Sequence, residues 1–324
     1  MARRLTIGVD LGNYNTKTRN TISPSSYEKY RQEPKLASEV MFFGNEYYTT
    51  TNDRNNQMED KTEGDYALHM TLFAMAKEII EKVTHPYMPV AEIMKACNDV
   101  KEVRLGVGLP VGHFSKLSDK LKTYYENAFR KSVAYSFRSE KTGGEYVDFN
   151  FEVVEVHVFP QDITAVAQNP SLSIPSRYKD YYVIGLGGGT VDIIPVENGL
   201  PCVPKCTTIL KATTDMYDKA NEYLQKNGCS EKDYSLIEKV IMGEVTAIKE
   251  EEKKLILEFV SVYAKKLVDV LIRKELKFSD YPTVFVGGGA LLLKPYLEKN
   301  PVFVKTEFVS SVNENAKFYE LAMG

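Results

Sequence analysis

A charge excess of either sign is missing from this chain. Its 324 residues carry 41 Lys and Arg against 44 Asp and Glu, a formal net charge of −3. That removes the electrostatic case for the chain coating nucleic acid by itself, so any DNA would reach it through a partner. Long apolar runs are missing too. No stretch approaches the roughly 18 residues a membrane span needs, and Met1-Ala2-Arg3-Arg4 leads into a strand pattern rather than the apolar core of a signal peptide. No membrane association is expected, and the expected location is the cytoplasm. Cysteine is scarce: Cys97, Cys202, Cys206 and Cys229 are too few and too irregular for a disulfide framework, and Cys202-Val-Pro-Lys-Cys206 has no His or Cys pair to complete a zinc site. The four histidines are equally scattered, and none stands beside a Ser or Cys in a hydrolase motif. The remainder, 43% hydrophobic and 26% charged, is ordinary for a globular protein. The length exceeds what one hydrophobic core usually serves, so two domains are expected.

What is present is glycine at the ends of apolar strands. Three turns recur: Ile7-Gly8-Val9-Asp10-Leu11-Gly12-Asn13, Val183-Ile184-Gly185-Leu186-Gly187-Gly188-Gly189-Thr190-Val191-Asp192, and Val284-Phe285-Val286-Gly287-Gly288-Gly289-Ala290. The first two read as tight strand-turn-strand hairpins whose N–H groups can clasp phosphate oxygens, because glycine has no Cβ to block the approach. The third runs from strand into helix, where backbone donors and the helix dipole favour a phosphate or ribose. Any one turn alone is a weak signal; their order and spacing carry the weight.

Along the chain, Leu5 to Val9 reads as a buried strand with Thr16 to Thr21 returning antiparallel to it. A polar, Tyr- and Asn-rich insertion follows from Ser23 to Asp65, with a strand at Glu39 to Phe43. Leu68, Leu72, Met75, Ile79 and Val83 fall at helical spacing within Tyr66 to Thr84, and His85-Pro86 ends the pattern. Val103 to Leu109 is a strand stopped by Pro110, and Ser115 is placed to cap a helix through Arg130. Val133 to Phe137 and Glu145 to Phe151 form a hairpin whose second strand continues to Phe159. Pro160-Gln161-Asp162 closes it before a helix from Ile163 to Gln168, with Asp162 as cap. The Pro- and Ser-rich segment from Asn169 to Ser176 is the linker. Beyond it lie the hairpin Tyr181 to Val196, helices near Asp215 to Gln225, Tyr234 to Met242 and Glu251 to Lys277, the strand-Gly-helix unit Thr283 to Leu297, a strand from Val302 to Phe308 and a helix from Asn313 to Ala322. Each half starts with a hairpin carrying Asp and Gly, so the repeat is architectural and not literal.

These segments together resemble the actin, sugar-kinase and heat-shock-chaperone superfamily, and most closely the plasmid-segregating bacterial actins of the ParM type. The first phosphate loop is matched by Asp10-Leu-Gly12-Asn13-Tyr-Asn15-Thr-Lys17, and the domain-crossing segment by Phe159-Pro160-Gln161-Asp162. The second phosphate loop is matched by Gly187-Gly188-Gly189-Thr190-Val191-Asp192, the adenosine segment by Val286 to Ala290, and the second crossing helix by Asn315-Ala316-Lys317. Gly108-Leu109-Pro110-Val111 also resembles the ParM-type strand end before its helix. The resemblance runs nearly end to end, excepting the insertion and the loops from Thr207 to Cys229.

The resemblance implies an α/β, actin-like fold: two RNase-H-like domains, each a mixed five-stranded sheet flanked by helices, around a nucleotide cleft. The first domain is expected over 1–170, with an insertion subdomain at about 23–100 and completion by 306–324; the second is expected over 171–305. ATP and Mg²⁺ are the implied cofactors. Asp10 would act on the metal through water, and Gly12, Asn13, Asn15 and Lys17 would face phosphates, as would Gly187, Gly188, Gly189 and Thr190. Gly287, Gly288 and Gly289 would lie against adenosine. Gln161 and Asp192 would orient the attacking water, since phosphoryl hydrolysis needs positioning and charge neutralisation more than covalent chemistry. One position departs from the family: Gly185 stands where most relatives have an Asp facing the metal. The implied function is a filament-forming ATPase whose partners are copies of itself and an adaptor bound to plasmid centromere DNA; the end of the chain at Gly324, just after the crossing helix, leaves no chaperone-like substrate domain. The alternative is a non-filamentous small-molecule kinase or phosphatase of the same superfamily, for which no catalytic carboxylate base is assignable. A membrane-bound scaffold is weaker still, because Glu314 and Glu320 interrupt the apolar residues of the last helix.

Overall fold

The computed structural model describes residues 2–52, 60–167, 169–209, 212–274 and 276–324. The expected helix end at Gln168 lies outside the described residues. Two compact units are present, one of Met1–Ala165 with Asn313–Gly324 and one of Val166–Val312.

The first unit opens with β1 (Arg3–Leu11), β2 (Asn15–Lys17) and β3 (Ile22–Pro24), then β4 (Tyr27–Tyr30), β5 (Val40–Phe43) and β6 (Glu46–Thr50). It continues through α1 (Tyr66–Val83), α2 (Val90–Asn98), β7 (Val100–Leu109), α3 (Val111–Ala128), β8 (Val133–Arg138) and β9 (Val147–Pro160). The strand order is β3-β2-β1-β7-β9-β8-β5-β6-β4. Strand β9 serves two neighbours: its first part pairs antiparallel with β8, and from Glu152 onward it runs parallel to β7. The portion β3-β2-β1-β7-β9 is a five-stranded mixed sheet, antiparallel at β2/β3 and β1/β2 and parallel at β1/β7 and β7/β9. Ile7, Val9 and Leu11 of β1 and Val103, Leu105, Val107 and Leu109 of β7 are buried, as strands covered on both faces must be. Helix α1 presents Leu72, Met75 and Ile79 to this core, and its Phe73 meets Phe137 of β8 edge to face at 5.0 Å.

Two expectations shift. Helix α3 begins at Val111 and not after Ser115, because Pro110 sits extended at φ −51°, ψ 140° and hands over directly to the helix. The return strand expected from Thr16 to Thr21 breaks into β2 and β3, because the Thr18 N–H donates to the Thr21 carbonyl at 2.9 Å and closes a turn there.

The short helix α4 (Ile163–Ala167) spans the division between the units, and α5 (Ile174–Arg177) lies at the end of the expected linker. The second unit then carries β10 (Tyr181–Leu186), β11 (Val191–Glu197), β12 (Leu200–Pro201), β13 (Thr207–Ile209), α6 (Thr213–Lys226), α7 (Tyr234–Ile241), α8 (Glu250–Ile272), β14 (Thr283–Val286), α9 (Gly288–Leu297) and β15 (Thr306–Phe308). Its order is β12-β11-β10-β14-β15, with β13 added beside β11. Strand directions repeat those of the first unit: antiparallel at β11/β12 and β10/β11, parallel at β10/β14 and β14/β15. The two halves therefore share one five-strand topology. Residues 306–308, expected to complete the first domain, pair with β14 instead, where they cover the open edge of four fully buried residues.

The last helix, α10 (Glu314–Met323), belongs to the first unit and lies on β1 and β7. Glycine permits the approach. A Cβ on Gly8 would stand 2.0 Å from the Ala316 carbonyl oxygen, and one on its cross-strand partner Gly106 would stand 2.7 Å from Met323 Cε. Glu320, expected to interrupt an apolar face, is buried: Gly8 N–H donates to it at 3.2 Å and Lys82 Nζ at 2.9 Å. Among the described residues no helix is long and apolar enough to cross a membrane.

Candidate functional site

Asp10 is buried near the end of β1, opposite Lys17 in the antiparallel register of the first hairpin. Cross-strand partners share a face of the sheet, and here they pair: Lys17 Nζ stands 3.7 Å from Asp10 Oδ2, with 16% of the lysine side chain exposed. The lysine is thus not a solvated surface group. Asp10 also accepts from Gln161 Nε2 at 2.7 Å on Oδ1, and from Asn315 Nδ2 at 3.3 Å on Oδ2. Gln161 reaches it from just past the end of β9, its own N–H fixed on the Leu109 carbonyl at 2.7 Å. Of the residues singled out in the first half, Asp10, Lys17 and Gln161 are brought together. Gly12 adjoins them: a Cβ there would lie 3.9 Å from Lys17 Nζ and 2.8 Å from the Asn15 carbonyl oxygen. Its N–H is not left for a ligand, since it donates to the Asp10 and Asn15 carbonyls at 3.1 and 3.2 Å and closes the turn. Asn13 and Asn15 are half-buried at that turn.

The second unit repeats the device. Gly187 N–H donates to the Thr190 carbonyl at 2.9 Å, the same three-residue closure. In this hairpin Gly185 holds the place of Asp10 and Asp192 the place of Lys17, directly opposite each other. The Asp192 carboxylate accepts from the Thr190 hydroxyl at 3.0 Å and from the Thr208 hydroxyl at 2.6 Å, tying the turn to β13. Helix α6 fastens the loop from below: Thr213 Oγ1 donates to the Gly187 carbonyl at 3.1 Å and Thr214 N–H to the Gly188 carbonyl at 2.9 Å. Gly188 is half-buried and Gly189 buried.

The third turn separates its glycines by role. Gly287 has φ +98°, and a Cβ would meet the Leu186 carbonyl oxygen at 2.5 Å. Gly289 is buried against Thr213 Cγ2, 2.6 Å from such a Cβ. Gly288 is exposed, and a Cβ there would touch only Val312 Cγ1 at an ordinary 3.6 Å. Folding explains the first two glycines and leaves the third unexplained.

Other members of the first cluster escaped sequence reasoning as site residues. Asn315 links Asp10 to Asp162: its Nδ2 donates to Asp162 Oδ1 at 3.3 Å and its Oδ1 accepts the Asp162 N–H at 2.9 Å. Asp162, expected to cap a helix, has φ +62° and turns the chain at that point. The crossing-helix match at Asn315 held the signal for this contact. Buried Lys61 donates to the Leu11 carbonyl; it lies in the insertion, where no pattern marks it. Tyr319 lies fully buried on Gly108 beside Gln161, and burial, with the Asp10 and Asp162 carboxylates, pushes its hydroxyl well above the usual phenol range. It therefore stays protonated. Nothing in the helical spacing separates it from a core tyrosine.

No protein-family model matches the sequence, and no curated protein matches it. Solved structures do match in shape. The ADP complex of Ta0583, an archaeal actin homologue, has a TM-score of 0.72 at 16% identity, covering 98% of both chains. A non-polymerisable quadruple mutant of pCBH ParM has a TM-score of 0.69 at 16% identity over 99% of both chains. The subunit of a 15-stranded ParM filament from Clostridium botulinum has 0.66 at 14% identity over 98% of both. With one five-strand topology in each unit and likeness running along the whole chain, this protein has the actin-like fold.

Proposed function

We propose that the chain is an ATP hydrolase that polymerises with ATP into homopolymeric filaments, and that it segregates plasmid DNA through an adaptor bound to the plasmid centromere, in the cytoplasm. The observation that carries the reading is Asp10, a buried carboxylate at a strand end on which two hydrogen-bond donors converge from the end of β9 and from α10, with the Lys17 ammonium of β2 ion-paired to it. Among the described residues no three His, Cys, Asp or Glu side chains gather to hold a metal ion. A single carboxylate would suit a hard cation that keeps its waters, those waters donating to Asp10 as an outer contact. Bound magnesium would supply charge neutralisation at the phosphates.

The chain's own residues do the rest. Lys17, beside the Gly12 turn, adds fixed positive charge for phosphate oxygens, with Asn13 and Asn15 at the same turn. Gln161 is anchored through its backbone and holds its side-chain amide on Asp10, a position from which it would orient a water. Gly187, Gly188, Gly189 and Thr190 form the second unit's phosphate turn, which Asp192 holds in shape. Gly287 and Gly289 set the third turn, and exposed Gly288 leaves room for adenosine. Support for ATP and for filaments comes from the ADP complex and the ParM filament among the structures of like fold.

The test is sedimentation after addition of MgATP at micromolar protein, with phosphate release followed in parallel. Pelleting that reverses as ATP is consumed is expected. Gln161→Ala is expected to slow phosphate release about 10- to 1000-fold and to prolong the filaments. Turnover with no pelleting at any concentration would replace this reading by the small-molecule kinase or phosphatase.

A further inference from the structure

Tyr319 keeps a hydroxyl that the fold does not use. The ring stacks on Phe159 with centroids 5.3 Å apart and planes 7° from parallel, the side chain is fully buried, and Oη has no hydrogen-bond partner. A buried hydroxyl without a partner destabilises a fold, and phenylalanine would fill the same space without it. The hydroxyl also has a particular neighbour. A Cβ on Gly108 would meet Tyr319 Oη at 2.1 Å and Gln161 Cγ at 2.9 Å, so both side chains crowd one glycine.

Gln161 is half used. A carboxylate only accepts hydrogen bonds, so the amide nitrogen must face Asp10 and Oε1 is left to accept from another donor. Asp10 already accepts from Gln161 and Asn315 and is ion-paired with Lys17, and Asp162 accepts from Asn315. The acceptor best placed to need the Tyr319 proton is therefore Gln161 Oε1.

We propose that Tyr319 is a positioning residue for Gln161, donating its O–H to Gln161 Oε1 whenever the amide swings off Asp10, with or without nucleotide, so that the glutamine exchanges between two defined seats rather than between one seat and free rotation. In the second seat the amide nitrogen points away from Tyr319, and Asp10 is open to other donors. The inference rests on the role proposed above for Gln161 in orienting water.

Tyr319→Phe is the test, read in three ways. Its melting temperature without nucleotide is expected to equal or exceed that of the parent, because the orphaned hydroxyl is gone. Its kcat for ATP is expected to fall ten- to hundredfold with KM unchanged, the scale of a misplaced reacting group. In protein labelled with ¹⁵N-glutamine, the side-chain amide resonance of Gln161, identified by its loss in Gln161→Ala, is expected to shift in Tyr319→Phe without nucleotide. A raised melting temperature with parental kcat and an unmoved Gln161 resonance would overturn the inference. If the parent protein hydrolyses no ATP, the functional reading fails separately, and the nucleotide-free resonance decides alone: a shift supports the contact and its absence removes it.

Discussion

Gln161 donates its side-chain amide to Asp10 over 2.7 Å although the two residues are 151 positions apart in the chain. Strand β7 accounts for the meeting. It runs parallel to both β1 and β9, and the registers Val9 with Val107 and Leu109 with Pro160 bring the two strand ends to the same edge of the sheet. The carboxylate that ends one strand is thus oriented by the residue that follows the other.

Removing Asp10 should have two separable effects. Asp10→Ala is expected to abolish Mg-dependent turnover and also to lower stability by about 1–3 kcal/mol, because Gln161 and Asn315 lose their acceptor and Lys17 its counter-charge in a part-buried place. Lys17→Met in the same chain removes the unpaired charge. The double variant should regain part of the stability, read as a urea midpoint, while phosphate release stays absent. Wild-type turnover in Asp10→Ala with normal circular dichroism would end the metal assignment.

The glycines of the third turn should respond in opposite ways. Gly289→Ala would press on Thr213 Cγ2 and the Leu186 carbonyl, an overpacking cost of about 1–3 kcal/mol, and Gly287→Ala would be strained at φ +98°. At Gly288 a Cβ meets only Val312 Cγ1 at ordinary contact distance and the backbone is ordinary, so Gly288→Val is the mildest of the three. It should leave the melting temperature nearly unchanged and weaken ATP binding measured by fluorescence. Unchanged affinity would make Gly288 an ordinary helix-start residue.

How far this could be read beforehand depended on whether the cause was local. Strands β1, β7, β10 and β14 and helix α1 are written in apolar periodicity and glycine ends, and their bounds move by only a few residues. Pro110 was legible as a break, but not as the residue from which α3 starts at once. The turn at Thr18 to Thr21 depends on a distant helix: Thr18 Oγ1 donates to buried Glu78 of α1 at 2.5 Å, and the Asn20 side chain to the same carboxylate at 2.7 Å. Asp10 and Gln161 came forward through resemblance, not spacing, since only the sheet register makes them neighbours. Tyr319 and Lys61 stayed hidden because each is an ordinary residue in its own segment.

Acid should loosen the insertion through His69. The imidazole sits among Tyr27, Tyr48 and Phe43, with Nδ1 at 3.0 Å from the Tyr27 hydroxyl, and burial holds its pKa below the ordinary 6.5, with Asp65 opposing the shift. A base whose folded pKa is depressed binds fewer protons folded than unfolded. Its contribution is therefore complete above about pH 6.5 and is lost as pH falls through the folded value. His69→Gln keeps a polar side chain and cannot titrate. Between about pH 6.5 and 5 the parent's urea midpoint should fall more steeply than the variant's; parallel curves would remove His69 from the acid response.

Gly185→Asp tests what distinguishes the two hairpins. Both are closed by a glycine N–H on the carbonyl three residues later, but Asp10 faces Lys17 in the first and Gly185 faces Asp192 in the second. A new Asp at 185 would reproduce Asp10's place without its cation. It would oppose a carboxylate already held by the Thr190 and Thr208 hydroxyls, and directly opposed like charges destabilise a sheet by about 0.2–1 kcal/mol or more when desolvated. Gly185→Asp should therefore be less stable than the isosteric Gly185→Asn, and Asp192→Asn in the Gly185→Asp chain should restore most of the difference. Phosphate release against Mg²⁺ concentration completes the comparison, because under the proposed function an acceptor at 185 alters the metal dependence. Equal urea midpoints for Gly185→Asp and Gly185→Asn, with unaltered Mg²⁺ dependence, would mean that the charge at this position reaches neither Asp192 nor the metal. Glycine at 185 would then be explained by backbone packing within the hairpin alone.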